Sequence, residues 1–329
     1  MLRLESVELF GAGAWVSDGG LATELEARGH DLSDALWSAR LLLDAPEEIV
    51  AAHRAFFDAG AVIATTASYQ ASFEGFAERG IDRATATRLL RRSVDLARQA
   101  RDDVSGDGRP RFVAASVGPY GAALADGSEY RGAYGLTVAR LRDWHRPRLE
   151  VLAEARPDLL AIETVPDVVE AEALVEALAG IGVPAWLSFT VADGRTRAGQ
   201  PLTEAFAVAA GSPDVAAVGV NCCAPSEVSP ALACAKAVTG KPVVVYPNSG
   251  EGWDARRRAW TGATQFSPRL AARWVAEGAH VVGGCCRVRP PTSPSWRAGC
   301  DVGRRRSTTV SAAAARRRTG VIARRRTTS

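Results

Sequence analysis

The sequence predicts a (β/α)8 TIM barrel, an α/β fold in which eight parallel strands alternate with helices. Eight short apolar or β-branched runs recur before residue 290, and most of them precede a helix-like segment. Continuous apolar runs are typical of parallel strands buried on both faces, and a barrel of this type usually has about 250 residues. A doubly wound sheet is the alternative, although no G-x-G-x-x-G motif follows the first run. The predicted strands are Ala14–Ser17, Ala61–Thr65, Phe112–Val117, Leu159–Glu163, Ala185–Thr190, Ala216–Asn221, Pro242–Tyr246 and His280–Gly283.

Two predicted helices have clear boundaries. The first begins at Pro46, with Asp44 expected to cap it, and ends at Gly60. The second begins at Pro166, repeats apolar residues on one face and ends at Gly180. Proline near the first turn and glycine after the last turn are ordinary helix boundaries. These helices follow the first and fourth predicted strands, as the barrel requires.

Polar residues collect where the predicted strands end. In a TIM barrel the carboxyl ends of all eight strands meet at one face, and catalytic residues lie there. The side chains that we expect at this face are Asp18, Thr65, Ser116, Glu163, Ser188, Thr190, Asn221, Cys222, Tyr246, Cys285 and Cys286.

Three of these side chains are thiols, on strands six and eight, which only one strand separates in the ring. Cys222, Cys285 and Cys286 can therefore converge. Three thiolates suit zinc and leave its fourth position open, which is typical of a catalytic site. Cysteines also pack as small buried apolar residues, and the thiols alone leave both interpretations standing.

Two acidic residues, Asp18 and Glu163, end apolar strands on the same rim. A buried carboxylate is costly unless it is paired or hydrogen-bonded. The functional hypothesis is that the two carboxylates hold a substrate ammonium group; the alternative is a structural ion pair or a helix cap. Their position beside three thiols favours the functional hypothesis.

The composition is that of a globular protein, with 47% hydrophobic and 23% charged residues. No apolar run approaches the roughly 18 residues that span a bilayer, and the first residues lack the pattern of a secretory signal. Six cysteines without a disulfide-like framework suit a reducing compartment. We therefore expect a cytoplasmic protein that is not embedded in a membrane; the oligomeric state stays open.

The charge is divided unevenly along the chain. Residues 287–329 contain 12 arginines and one acidic residue, a net charge of +11, so the total of +3 leaves −8 on residues 1–286. We divide the chain into a barrel at 1–290 and a basic, low-complexity tail at 291–329. The tail shows no amphipathic period and too little apolar content to order itself. It stands where the last barrel helix is expected.

One hypothesis is that the tail is a frameshifted or otherwise erroneous coding segment, which would be excluded from fold reasoning. The competing hypothesis is a real basic arm that binds RNA, DNA or a membrane. The first is favoured, so nucleic acid is not expected as a partner.

Together these motifs resemble the homocysteine S-methyltransferase family over residues 12–288, and the branch that uses S-methylmethionine in particular. No single motif is specific, but the set is. The resemblance is carried by Asp18–Leu25, Leu36–Ala39, Thr65–Ala71, Ser116–Gly121, Glu163–Thr164, Gly219–Cys222, Tyr246–Glu251 and Gly283–Arg287.

The resemblance implies a zinc-dependent transfer of a methyl group to homocysteine, which forms methionine. The donor would be S-methylmethionine, with S-adenosylmethionine as the lesser donor. Zinc would be bound by Cys222, Cys285 and Cys286, while the homocysteine side would involve Asp18, Glu163, Thr65 and Asn221. Candidates for the donor pocket are Tyr69, Tyr246, Glu251 and Trp253. The alternative function is a catalytically silent zinc-binding barrel whose basic tail is an interaction arm.

Overall fold

A computed structural model describes residues 13–32, 36–254 and 259–290. The predicted tail, 291–329, lies outside the described residues. The TIM barrel is confirmed, because eight parallel strands fall within two residues of the predicted boundaries. We number them β1 Trp15–Val16, β2 Ile63–Thr65, β3 Phe112–Val117, β4 Leu159–Val165, β5 Ala185–Phe189, β6 Val215–Asn221, β7 Val243–Tyr246 and β8 Ala279–Val282.

The eight strands form a closed ring. Each strand pairs with its sequence neighbour from β2 to β8, and β8 pairs with β1. A parallel bridge between Ser17 and Ile63 joins β1 to β2. It is flanked by hydrogen bonds from the Asp18 N–H to the Ile63 carbonyl, 2.9 Å, and from the Val62 N–H to the Val16 carbonyl, 2.8 Å. All carboxyl ends therefore meet at one rim.

Helices cover the outside of the ring, and none of the helices among the described residues is long and apolar enough to cross a membrane. Among these residues no helix follows β8. Two short antiparallel pairs lie outside the ring, Val191–Ala192 with Arg195–Thr196 and Gly252–Asp254 with Ala259–Thr261. The α-helices are Leu21–Ala27, Leu41–Asp44, Pro46–Ala59, Phe73–Ala77, Arg83–Asp103, Tyr120–Leu124, Val138–Glu154, Val168–Leu178, Leu202–Ala210, Val228–Thr239 and Pro268–Glu277.

The cap predicted at Asp44 is wrong. Asp44 ends the preceding short helix, and Ala45 occupies the N-cap position of the helix that begins at Pro46 without a side-chain cap. The predicted stop at Gly60 is confirmed, since Gly60 adopts a φ of 114° there. In the second helix, Asp167 is the cap: its carboxylate accepts from the Glu170 N–H at 2.8 Å.

The core has two layers. Inside the ring, Trp15, Ile63, Trp186 and Val281 pack with small residues such as Ala161. A larger apolar layer fills the space between the strands and the helices. The alternation of inward and outward side chains along each strand produces both layers. The carboxyl rim therefore rests on a packed base.

Candidate metal and substrate site

The three predicted thiols come together at the carboxyl rim. The Sγ atoms of Cys222, Cys285 and Cys286 all lie within 4.8 Å of one another, and those of Cys222 and Cys286 are 3.7 Å apart. Two thiolates on one tetrahedral zinc, with Zn–S bonds of about 2.3 Å, lie about 3.8 Å apart. Hydrogen bonds from Cys222 and Cys285 hold the pKa of Cys286 well below its ordinary value, while contacts with Cys222 and Cys286 raise the pKa of Cys285, so one thiolate is shared within the cluster. The residues therefore fit a soft or borderline divalent cation.

The loop after β8 is held in place by the loops beside it. The Cys285 N–H donates to the Pro247 carbonyl at 2.8 Å, and the Cys286 N–H donates to Asn248 Oδ1 at 3.1 Å. A Cβ on Gly284 would collide with the side chain of Val288. Glycine is therefore required for the turn that presents both cysteines.

A cavity of about 100 Å³ opens above the thiols. It is negatively charged in character, because Glu129 and Glu163 share its wall with the cysteines and none of its described lining residues is Lys, Arg or His. Tyr69, Tyr130 and Tyr246 supply aromatic surface. Carboxylates and aromatic faces both attract cations.

Asp18 lies at the end of β1, buried, with Thr65 beside it. Its Oδ2 accepts from the Thr65 N–H at 2.7 Å, and both of its oxygens lie 2.9 Å from Thr65 Oγ1. Burial raises the pKa of Asp18 well above its ordinary value, and the charge of nearby Glu163 raises it further. The two predicted acids therefore lie close together, and a cation between them would relieve the repulsion.

Glu163 projects from β4 into the cavity. Ser116 Oγ donates to its Oε1, and the hydroxyl of Tyr246 also hydrogen-bonds to the carboxylate. Burial raises the pKa of Glu163 to about 7, although both hydrogen bonds oppose the shift. A carboxyl group that titrates near neutrality suits the binding of an ammonium group, which would stabilise its ionised form.

Asn221, predicted to contact substrate, lies fully buried behind the cavity wall. Its Oδ1 accepts from the Thr164 N–H at 2.7 Å, and its Nδ2 donates to Thr164 Oγ1 at 2.8 Å. Thr164 has a φ of 61°, which is rare for a β-branched residue. The register between β4 and β5 shifts here, between Ile162 and Val165. The amide of Asn221 therefore holds the bulge that aims Glu163.

The four predicted donor-pocket residues are placed differently from one another. Tyr69 and Tyr246 line the cavity. The Tyr246 hydroxyl accepts from Trp186 Nε1 at 3.0 Å and contacts Glu163, which places it on the side of the acids. Glu251 lies beyond the lining and pairs with Arg287 at 3.3 Å. Trp253 belongs to the strand Gly252–Asp254, and its side chain is outside what the structure describes.

Sequence reasoning missed Glu129 and Tyr130, which line the cavity from a short 3-10 helix, Ser128–Tyr130. The Tyr130 hydroxyl lies 3.0 Å from the Cys222 Sγ. The available signal was the length of the connection between β3 and the helix that begins at Val138. Long βα loops carry much of the chemistry of TIM barrels.

Residues 15–292 match a family model described as homocysteine S-methyltransferase. The chain belongs to that family. Homocysteine S-methyltransferase 4 from Zea mays is 49% identical over 299 residues, 85% of this chain and 87% of the maize protein. Homocysteine S-methyltransferase from Escherichia coli (strain K12) is 47% identical over 281 residues, 83% of this chain and 91% of the bacterial protein.

Family membership extends to the three-dimensional structure. The crystal structure of homocysteine methyltransferase MmuM from Escherichia coli, in its metallated form, matches with a TM-score of 0.78 and 43% identity, over 89% of this chain and 99% of that chain. The family suggested by the motifs is therefore confirmed, and the chain is a methyltransferase. Its fold carries a cysteine cluster that fits a metal.

Proposed function

We propose that this chain transfers a methyl group from S-methylmethionine, or less efficiently from S-adenosylmethionine, to L-homocysteine, with zinc at Cys222, Cys285 and Cys286. The observation that carries the proposal is the convergence of three thiols with Glu163 on the cavity wall, and with Asp18 buried behind Thr65 at the same rim. No basic side chain stands among the described lining residues. Homocysteine offers a thiol and an ammonium group, which match these two sets of side chains.

The cysteine cluster supports zinc through its donor set and its spacing. Three sulfur donors exclude the hard cations Mg²⁺ and Ca²⁺, which prefer oxygen. Bound zinc would supply a Lewis acid that keeps a coordinated thiol ionised near neutral pH. Tyr130 would orient the cluster through its contact with Cys222.

Asp18 and Glu163 would bind the ammonium group of homocysteine. Thr65 fixes the Asp18 carboxylate from one side, and Ser116 fixes Glu163. Both acids are buried, so charge-assisted hydrogen bonds to an ammonium group would be strong. This binding orients the substrate thiol toward the cavity and away from solvent.

In the transfer itself, the thiol of homocysteine loses its proton and its sulfur attacks the methyl carbon of the donor. A new C–S bond forms as the bond from that methyl to the sulfonium sulfur breaks. The sulfonium keeps the electron pair and becomes a neutral thioether. With S-methylmethionine as donor, both products are therefore methionine, and one proton is released. The chain's part is to align the two sulfur atoms on opposite sides of the methyl.

The test is an assay with S-methylmethionine whose two S-methyl groups are deuterated. Each turnover should give two methionine molecules, each with one labelled methyl, and mass spectrometry would count them. S-adenosylmethionine, betaine and methylated folate serve as alternative donors, and metal analysis of the purified protein identifies the ion. Absence of methionine formation with every donor, from protein that holds its metal, would overturn the proposed function.

A further inference from the structure

Glu129 is a cavity carboxylate for which the proposed homocysteine site has no use. It lines the cavity from the 3-10 helix Ser128–Tyr130, on the wall that also contains Tyr130. Its Oε2 is buried and has no hydrogen-bond partner among the described residues. Leaving a buried carboxylate oxygen unpaired is costly. Such an oxygen is expected to pair with a ligand.

The surroundings of Glu129 determine the sign of the charge that this ligand carries. Burial raises the pKa of Glu129, and the negative charges of Cys222 and Asp126 raise it further. No cationic side chain stands among the described residues of the cavity wall. The aromatic rings of Tyr69 and Tyr130 lie on the same wall. A cation is therefore the ligand that this corner of the cavity stabilises.

The backbone that carries Glu129 is held in position before any ligand arrives. Asp126 Oδ1 accepts from the Ser128 N–H at 2.9 Å, and Arg197 Nε donates to the Tyr130 carbonyl at 3.0 Å. On the other side of the 3-10 helix, a Cβ added to Gly121 would lie 2.5 Å from the Glu129 nitrogen, so the backbones are packed together. A carboxylate on such a fixed segment loses little entropy when it binds.

Charge accounting separates Glu129 from the other two acids. Asp18 and Glu163 lie close to each other, since the charge of Glu163 raises the pKa of Asp18. One ammonium group satisfies that pair. Glu129 and Glu163 both act on Tyr69 and Cys222, but the charges of Glu129 and Glu163 do not act on each other. Glu129 therefore stands apart from the acid pair, next to the thiols where the methyl must arrive. The remaining cation in the reaction is the sulfonium of the donor.

We infer that the Glu129 carboxylate binds the sulfonium group of the methyl donor and determines the preference for cationic donors. This inference rests on the proposed function. The carboxylate attracts a sulfonium and repels an anionic donor, so it contributes to specificity as well as to affinity. Glu129 lies where it can contact the donor while the methyl faces the thiol of homocysteine.

The test compares S-methylmethionine with methionine, because the two differ only in the methyl group that creates the sulfonium charge. The binding of methionine and of S-methylmethionine is measured by calorimetry, in both cases in the absence of homocysteine. The KM values of homocysteine and of S-methylmethionine are measured in the transfer assay. Glu129→Gln should weaken binding of S-methylmethionine at least roughly tenfold, while methionine and the KM for homocysteine change less than about twofold. Glu129→Asp, which keeps the charge, should retain part of the preference.

Asp126→Asn is the matched control. Asp126 is an exposed carboxylate on the same segment, and the asparagine Oδ1 can still accept from Ser128. This variant should keep the wild-type preference for S-methylmethionine. If Glu129→Gln does not fold, Glu129→Ala makes the same comparison.

The inference is overturned if wild-type protein binds the two ligands equally, or if Glu129→Gln weakens both by the same factor, which would indicate a structural role. It is also overturned if the variant keeps the full preference. A wild-type protein that binds S-methylmethionine selectively but forms no methionine with any donor would instead count against the proposed function. The two failures are therefore distinguishable.

Discussion

The side-chain amide of Asn221 forms two hydrogen bonds with Thr164: its Oδ1 accepts from the Thr164 N–H at 2.7 Å, and its Nδ2 donates to the Thr164 hydroxyl at 2.8 Å. Asn221 is the last residue of β6 and is followed by Cys222, while Thr164 is the next-to-last residue of β4 and is preceded by Glu163. Thr164 and Cys222 both have positive φ, 61° and 50°. Strained backbone persists only where its surroundings hold it. One side chain thus connects the thiol side of the rim with the carboxylate side.

Asn221→Ala should destabilise the fold and weaken homocysteine binding together. It leaves the buried N–H of Thr164 without a partner, which costs about 1–3 kcal/mol. Urea unfolding measures the loss, and the KM for homocysteine should rise as Glu163 loses its aim. Adding Thr164→Gly should restore part of the stability, because glycine adopts positive φ freely. Unchanged stability in Asn221→Ala would show that the bulge holds itself.

Each serine replacement in the thiol cluster should remove the metal. Cys222→Ser, Cys285→Ser and Cys286→Ser each take away one of the three donors in the described cluster, so metal per chain should fall well below half. Elemental analysis of the purified variants measures this ratio. Cys223→Ser is the matched control, since Cys223 is buried beside Cys222 but outside the cluster. Equal metal content in all four variants would place the ion elsewhere.

Glu163→Gln should abolish recognition of the substrate ammonium. The comparison uses homocysteine and 4-mercaptobutyrate, a thiol of the same length that lacks the ammonium group. A charge-assisted hydrogen bond contributes about 1.5–3 kcal/mol, so the wild-type preference for homocysteine in kcat/KM should drop roughly tenfold or more. The value for 4-mercaptobutyrate itself should stay nearly constant. A preference that survives the substitution would remove Glu163 from the ammonium site.

His53 should make the fold sensitive to acid. It is fully buried in the helix Pro46–Ala59, neither ring nitrogen has a partner among the described residues, and burial lowers its pKa to about 4. Between pH 6.5 and pH 4, His53 is protonated in the unfolded chain but stays neutral in the folded chain. The free energy of unfolding therefore falls as the pH drops through this range, and is unaffected by His53 above it.

His53→Leu removes this titration and leaves no hydrogen bond broken. At pH 5 the acid-induced loss of stability, measured from pH 8 by urea unfolding, should be about 2 kcal/mol smaller in the variant than in wild type. At pH 8 the variant should be at least as stable, since leucine buries no polar nitrogen. Parallel pH profiles for the two proteins would contradict the assignment.

The strands and their polar ends were predictable from the sequence because both follow simple local patterns. Each apolar run stops at a polar residue, and parallel strands must bring those residues to one rim. Cys222 and Cys285 could be brought together in this way without knowing any loop. Glu129 and Tyr130 could not, because their place depends on how Asp126, Asp167 and Arg197 hold a long loop.

The role of Asn221 was hidden for a different reason. A polar residue at the end of a barrel strand is expected to face the cavity. Asn221 stands at the end of its strand, but its side chain does not line the cavity. The left-handed conformation of Thr164 is set by tertiary contacts, so the bulge and its buried amide partner have no local signature. Asp44 shows the opposite case, since its local pattern predicted a helix cap that the structure does not contain. Asp44 is instead the last residue of the short helix Leu41–Asp44.

Two of the three clustered sulfur atoms come after β8, the strand that completes the ring between β7 and β1. Before β8 has been synthesised, the chain can offer only Cys222 of the three cluster thiols, and one thiol cannot retain an ion. Loading with the proposed metal is therefore expected late in biogenesis, after the ring of strands has closed. The fraction of chains that contain the ion would then equal, at most, the fraction whose ring of strands has closed.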